Sequence, residues 1–192
     1  MELLASLGRM LGFSFAAGIN LYATTAILGL AAHFHWVDLP PQYRVFDNPW
    51  IIGGALVLYV VEFAADKIPW IDSMWDAAHT VIRPLGGALI AVAAMGQVSP
   101  EAKTFIALAG GALAAGTHFT KAGTRVVANA SPEPFSNWVL SFSEDGFVVA
   151  LGLLALKYPL ATAFVVIALL VVMLAMAAWL VGKLRRGLQK TA

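Results

Sequence analysis

Six ionisable side chains, Glu62, Arg83, Lys121, Arg125, Glu144 and Asp145, lie inside strongly apolar stretches, and Asp66, Lys67, Asp72 and Asp76 stand beside them. On insertion scales each costs roughly 2.5–3.5 kcal/mol at the centre of a bilayer. Such groups persist where they pair, reach water or do chemistry, and the chemistry open to them is proton exchange or ion binding. Glu62 and Asp66 are four apart, so they share a helix face and repel unless a proton or a cation such as Lys67 intervenes. For Asp66 and Lys67 the alternative is a solvated span end. Asp72, Asp76, His79 and Arg83 form a second stripe, at i, i+4, i+7 and i+11, opposite Met74, Trp75, Ala78 and Val81. This stripe reads first as a solvated interfacial helix anchored by Trp70 and Trp75, the alternative being that it re-enters the bundle, with Arg83 directly before the apolar run that follows. Asp76 with His79 is too little to define a metal site.

A third, basic stripe consists of His118, Lys121, Arg125 and Asn129, at i, i+3, i+7 and i+11. It predicts a buried pathway or ion-pair role, the alternative being snorkelling to a surface. Glu144 and Asp145 are adjacent and project about 100° apart on a helix. One is expected to pair with Lys121 or Arg125 while the other faces water. Asn20 is the uncharged counterpart of His118, because Ala16-Ala17-Gly18-Ile19-Asn20 echoes Ala114-Ala115-Gly116-Thr117-His118. Gly-Gly-Ala-Leu recurs at Gly53, Gly86 and Gly110, a pattern expected of close helix packing.

The elements that hold these groups follow from hydropathy. The chain has 192 residues, 60% of them hydrophobic and 12% charged, too apolar for an ordinary soluble domain. Residues 10–37 and 158–182 contain no Asp, Glu, Lys or Arg, and each run exceeds the roughly 20 residues that cross a bilayer. The expected architecture is an all-α polytopic membrane protein with six spans, over 8–32, 49–67, 74–97, 103–127, 137–156 and 159–182. Pro40-Pro41, Lys67-Ile68-Pro69, Ser131-Pro132-Glu133-Pro134 and Lys157-Tyr158-Pro159 punctuate them. The echoes at 16–20 and 114–118, and at 67–69 and 157–159, divide the single membrane domain into halves of about 8–97 and 103–182. Three-span halves in tandem would be inverted repeats. The apolar N-terminal run continues past any signal-peptide cleavage point, so it reads as a span.

There is no cysteine, which excludes disulfides and thiolate chemistry. No basic patch with interleaved aromatics points to nucleic acid. Neither a Gly-x-Ser-x-Gly elbow nor a His-Glu-x-x-His helix is present. No enzyme activity, cofactor or metal is expected.

Glu62-Phe63-Ala64-Ala65-Asp66-Lys67-Ile68-Pro69, then Asp72, Asp76 and Arg83-Pro84-Leu85-Gly86-Gly87, resemble one half of a bacterial membrane family. Thr120-Lys121-Ala122-Gly123-Thr124-Arg125, Asn129-Ala130-Ser131 and Ser143-Glu144-Asp145 resemble the other half. The family is known as domain of unknown function 4126. The resemblance covers roughly residues 12–160 and implies a small integral membrane protein without naming an activity. A weaker similarity is to cation exporters of the lysine-exporter superfamily, whose Glu-x-Gly-Asp-Lys motif is not reproduced here.

The function expected from these features is a secondary transporter or channel for a small ion or polar solute. Its pathway would be lined by Glu62, Asp66, Asp76, Arg83, Lys121, Arg125, Glu144, Asp145, Asn20 and His118. The alternatives are a membrane scaffold or partner subunit with internal ion pairs, and a lipid flippase holding a headgroup on the basic stripe. The partners are the bilayer and that ion, solute or headgroup, and the glycine-rich faces allow a homodimer. Lys183, Arg185, Arg186 and Lys190 place the C-terminus in the cytoplasm of a bacterial inner membrane. Six spans would place the N-terminus on the same side.

Overall fold

The computed structural model describes residues 1–130 and 134–191, with the side chains of 134, 180, 184, 185 and 187–191 outside that description. The breaker Ser131-Pro132-Glu133 and the side chains of Arg185 and Lys190 therefore lie outside the described residues. Seven helices are described: α1 (Glu2–Ile19), α2 (Leu21–His33), α3 (Pro49–Ala65), α4 (Pro69–Met95), α5 (Pro100–Asn129), α6 (Pro134–Lys157) and α7 (Pro159–Thr191), with a short 3-10 turn at Pro41–Val45. Helices α3 to α7 each begin on a proline, whose missing N–H costs nothing at the first helical position. Asn48 and Ser99 cap two of them, accepting from the backbone N–H groups of Trp50 and Ala102.

By length and composition, four of the described helices are able to cross a membrane: α1, α4, α6 and the first 25 residues of α7. The outward faces are apolar: Val81, Leu85, Leu89, Phe105, Leu108 and Val127 are exposed, while Glu62, Asp72, Arg83 and Arg125 are buried. This pattern, polar inside and apolar outside, is that of a helix bundle in lipid.

The first expected span, 8–32, is not one helix. Asn20 adopts an extended backbone (φ −145°, ψ 100°) that ends α1 and starts α2. The helix directions follow from the contacts. Gly8 packs on Pro159 and Gly12 on Thr162, so α1 runs parallel to α7. Ser14 donates to the Gly87 carbonyl and Arg83 to the Gly18 carbonyl, so α1 runs antiparallel to α4. Asn20 meets Asp145 and Gly152 lies against Ile27, so α2 runs parallel to α6. Gly29 then reaches Ile52, near the start of α3, and Phe46 just before it. Helices α1 and α2 thus form a hairpin that enters the bundle from one end, turns at Asn20 and returns to the same end. From Gly8 to Asn20 it descends about 18 Å at 1.5 Å per residue, against the ~30 Å of a hydrocarbon core.

Small residues permit the hairpin's close approach. A Cβ on Gly18 would collide with Thr117 Oγ1 and the Ala114 carbonyl, so the two echoed segments cross one another at this point. Gly87 and Gly110 are likewise pressed together between α4 and α5, as the packing reading expects, but Gly53 and Gly54 face open space. Around the hairpin, Phe13, Leu28, Tyr43, Phe46, Ile90, Ala94 and Leu156 form an apolar core at the entry end. Inside α4, Pro84 supplies no N–H to the carbonyl one turn back, that of Thr80.

The parallel course of α1 and α7 predicts that the two ends of the chain lie on opposite faces of a membrane. Because the chain has no cysteine, single substitutions Ser6→Cys and Lys183→Cys report this directly. An impermeant maleimide added to sealed, oriented vesicles should label one and not the other. Labelling of both from the same side would contradict the hairpin.

Candidate functional site

Below the hairpin tip, the charged stripes of α3, α4, α5 and α6 converge. Helix α4 turns Asp72, Asp76 and Arg83 toward α5 and His79 toward Tyr22 of α2, while Met74 and Val81 face outward. The solvated interfacial reading of this stripe is therefore corrected: all four polar side chains are buried, because α4 packs against the complementary stripe of α5. Asp66 is also buried, not solvated. Lys67 is half-buried, with its ammonium over the Phe63 ring and near the rings of Trp138 and Phe142. It donates to the Phe63 carbonyl and to Ser141.

The charges join in an alternating chain. Glu144 accepts from Arg125 through both oxygens, at 3.2 and 2.5 Å. Arg125 reaches Asp66 at 3.0 Å, and Asp66 meets Lys121 at 3.3 Å. Lys121 is 3.4 Å from Glu62, which accepts from Arg83 Nη2 at 2.7 Å. Arg83 Nη1 ends the series on Asp76, at 3.2 Å. Asp72 lies 4.0 Å from Arg125 and accepts from Asn129 at 2.8 Å. Five carboxylates therefore share three cations. Arg125 and Lys121 do not snorkel out; both are buried.

The hairpin tip closes this chain from above. Carbonyls at the end of α1 would be left without partners in a low-dielectric interior. Gly18 O accepts from Arg83 at 3.4 Å and Ile19 O from Lys121 at 3.3 Å, which places cations at the negative end of the helix dipole. Asn20 Oδ1 caps α2 by accepting from Ala23 N at 2.8 Å, and its Nδ2 donates to Asp145 at 3.1 Å. Asp145 is buried, with Tyr59 OH as its other partner at 3.4 Å. The expectation that one of the acidic pair faces water is corrected. Glu144 takes the cations, and Asp145 takes the hairpin.

His118 completes the node. Arg83 Nη1 donates to its Nδ1 at 2.8 Å. An arginine only donates, so Nδ1 is the unprotonated nitrogen, and Nε2–H is left for Thr80 Oγ1 at 3.2 Å. His79 Nδ1 donates to the Trp75 carbonyl, and its Nε2 meets Tyr22 OH at 2.9 Å. All ten expected pathway residues thus fall in one connected cluster. Tyr59 and Thr80 belong to it as well; Tyr59 sits in an apolar run, and nothing in the spacing marks it. Among the described residues no three His, Asp or Glu side chains converge as a metal-binding group.

Two clefts flank α5 and expose opposite ends of the chain. One, of about 230 Å³, is lined by Thr117, Thr120, Thr124, Lys121 and Glu144, with Phe15, Ile19, Leu140 and Met173 as apolar walls. The other, of about 180 Å³, is lined by Asp72, Asp76, Thr80, Arg125 and Asn129. The terminal acids Glu144 and Asp76 keep 15% and 8% of their side chains accessible, against 2% or less for the members between them. Three carboxylate oxygens, Glu62 Oε2, Asp66 Oδ1 and Asp72 Oδ1, are buried without a hydrogen-bond donor.

Removing one partner of a buried pair leaves an uncompensated charge, at a cost of about 3–5 kcal/mol. Arg83→Met should lower unfolding stability in detergent by that order. Arg83→Met with Glu62→Gln should recover part of the loss, because one of the two carboxylates that lose Arg83 is gone. Additive losses in the double variant would show that the two groups are not coupled.

Residues 7–179 fit the family model described as Domain of unknown function (DUF4126). No curated protein and no solved structure matches the chain.

Proposed function

Since the chain belongs to the DUF4126 family, whose description assigns no activity, we propose a function from the site itself: proton-linked passage of a small ion or polar solute across a membrane. The observation that carries this reading is the excess of acid in a buried cluster, five carboxylates to three cations, directly beneath the tip of a broken helix. A net negative cluster in a low-dielectric interior must take up protons or cations. Broken helices whose ends face charged groups near mid-membrane are a recurring device of secondary transporters, and irregular backbone at that depth is tolerated only where protein or a water-lined cavity surrounds it. A purely structural set of ion pairs would be served by equal numbers of each sign, so the excess disfavours a scaffold role.

In this reading five helices, α3 to α7, cross the membrane and the α1–α2 hairpin re-enters it. That arrangement takes the place of six crossings in two inverted halves. Lys183 and Arg186 mark the cytoplasmic face of a bacterial inner membrane. The charge chain then occupies the cytoplasmic half and the apolar hairpin core the outer half.

A second reading rests on the cleft beside Lys121. Its apolar walls and threonine-lined floor suit an anionic lipid headgroup entering sideways, which is the flippase alternative.

The test is proton uptake by proteoliposomes with an internal pH dye, under an imposed potassium diffusion potential. The wild type should acidify the lumen. Glu62→Gln and Glu144→Gln should each reduce the rate at least tenfold with folding intact. Equal rates in all three proteins would overturn the assignment. Headgroup translocation without proton movement would favour the second reading.

A further inference from the structure

Asp145 differs from every other acid of the cluster. The five carboxylates of the charge chain each lie within 4.0 Å of a cationic nitrogen. Asp145 makes no such pair among the described residues. Its two oxygens meet only neutral groups, Asn20 Nδ2 at 3.1 Å and Tyr59 OH at 3.4 Å, and it is 7% exposed. Charged groups stand farther off: Glu62 and Asp66 from α3, Lys67 after α3 and Lys121 from α5 act on it across space, and Glu144 is its neighbour in sequence. Asp145 is thus a buried carboxyl whose bonding partners are neutral groups, beside the N-terminal end of α2.

Resting on the transport reading above, we infer that Asp145 carries the exchangeable proton of the site and that Asn20 and Tyr59 read its state. The step is a simple protonation: the carboxylate gains one proton at Oδ2 from water and loses it again, and no other bond changes. When ionised, Asp145 accepts from Tyr59 O–H. When protonated, its own O–H donates to the Tyr59 oxygen, and the hydrogen bond reverses. Asn20 Nδ2 donates to Oδ1 in both states, through a charge-assisted bond in one and a weaker neutral bond in the other. Because the same Asn20 side chain caps α2, the proton changes how firmly the hairpin tip is held against α6.

Infrared spectroscopy of the protein in lipid separates a protonated carboxyl stretch from ionised carboxylates. The neutral-pH spectrum of the wild type should contain the protonated band. Asp145→Asn should remove a component of it, while Glu144→Gln should leave that component in place. Asp145→Glu should move the component in frequency, and this second variant serves if the asparagine protein does not fold. Absence of the band in the wild type, or a spectrum unchanged by both Asp145 variants, would overturn the inference. A band that behaves as expected in a protein showing no flux would support the proton site and overturn the transport reading. In flux assays, Asp145→Asn should flatten the dependence of rate on pH. A pH profile identical to the wild type would count against Asp145 as the carrier.

Discussion

The end of a helix in the middle of a bilayer is a set of unpaired carbonyls and amides in a medium with no water to satisfy them. The turn at Asn20 creates a helix end of the same kind inside the apolar-faced bundle, and the surrounding structure is arranged to meet it. The carbonyls of Gly18 and Ile19 receive Arg83 and Lys121, and those cations in turn require Glu62, Asp66 and Asp76. Asp66 and Glu144 share Arg125. The hairpin and the charge chain are one construction, since neither is tolerable in hydrocarbon without the other.

The sharing of partners also explains why the cluster is poised. Each internal member of the series bonds to a neighbour on either side, so no ion pair is independent of the next. Glu144 and Lys121 line one flanking cleft, and Asp72, Asp76 and Arg125 line the other.

The stripes were legible in the sequence because helical spacing alone puts Asp72, Asp76, His79 and Arg83 on one face and His118, Lys121, Arg125 and Asn129 on another. Which way those faces point is not a property of spacing. A polar face opposite an apolar one suits an interfacial helix as well as a buried one, and only the complementary stripe on α5 decides it. The hairpin was hidden for a related reason. Residues 10–37 carry no charge, so hydropathy reads straight through Asn20. Asparagine is a good helix cap, but a single asparagine in an apolar run is as readily an interhelical hydrogen-bond donor, and here it is both. The division of labour between Glu144 and Asp145 depends on the roll of α6, which adjacent residues do not reveal. The echoed segments 16–20 and 114–118 cross at Gly18 and Thr117, a contact that spacing does not reveal.

Pro84 lies one residue beyond Arg83, between the charged part of α4 and the glycine contact at Gly87 that fixes its apolar part on α5. Its missing amide removes one rung from the helix at that level. The fifteen-residue arm from Pro69 to Arg83 is thereby attached at a point of reduced bending stiffness. Any bend at that point would move Asp72, Asp76 and Arg83 together relative to α5. Mechanically, α4 is a lever whose fulcrum is set beside the very guanidinium that fastens it.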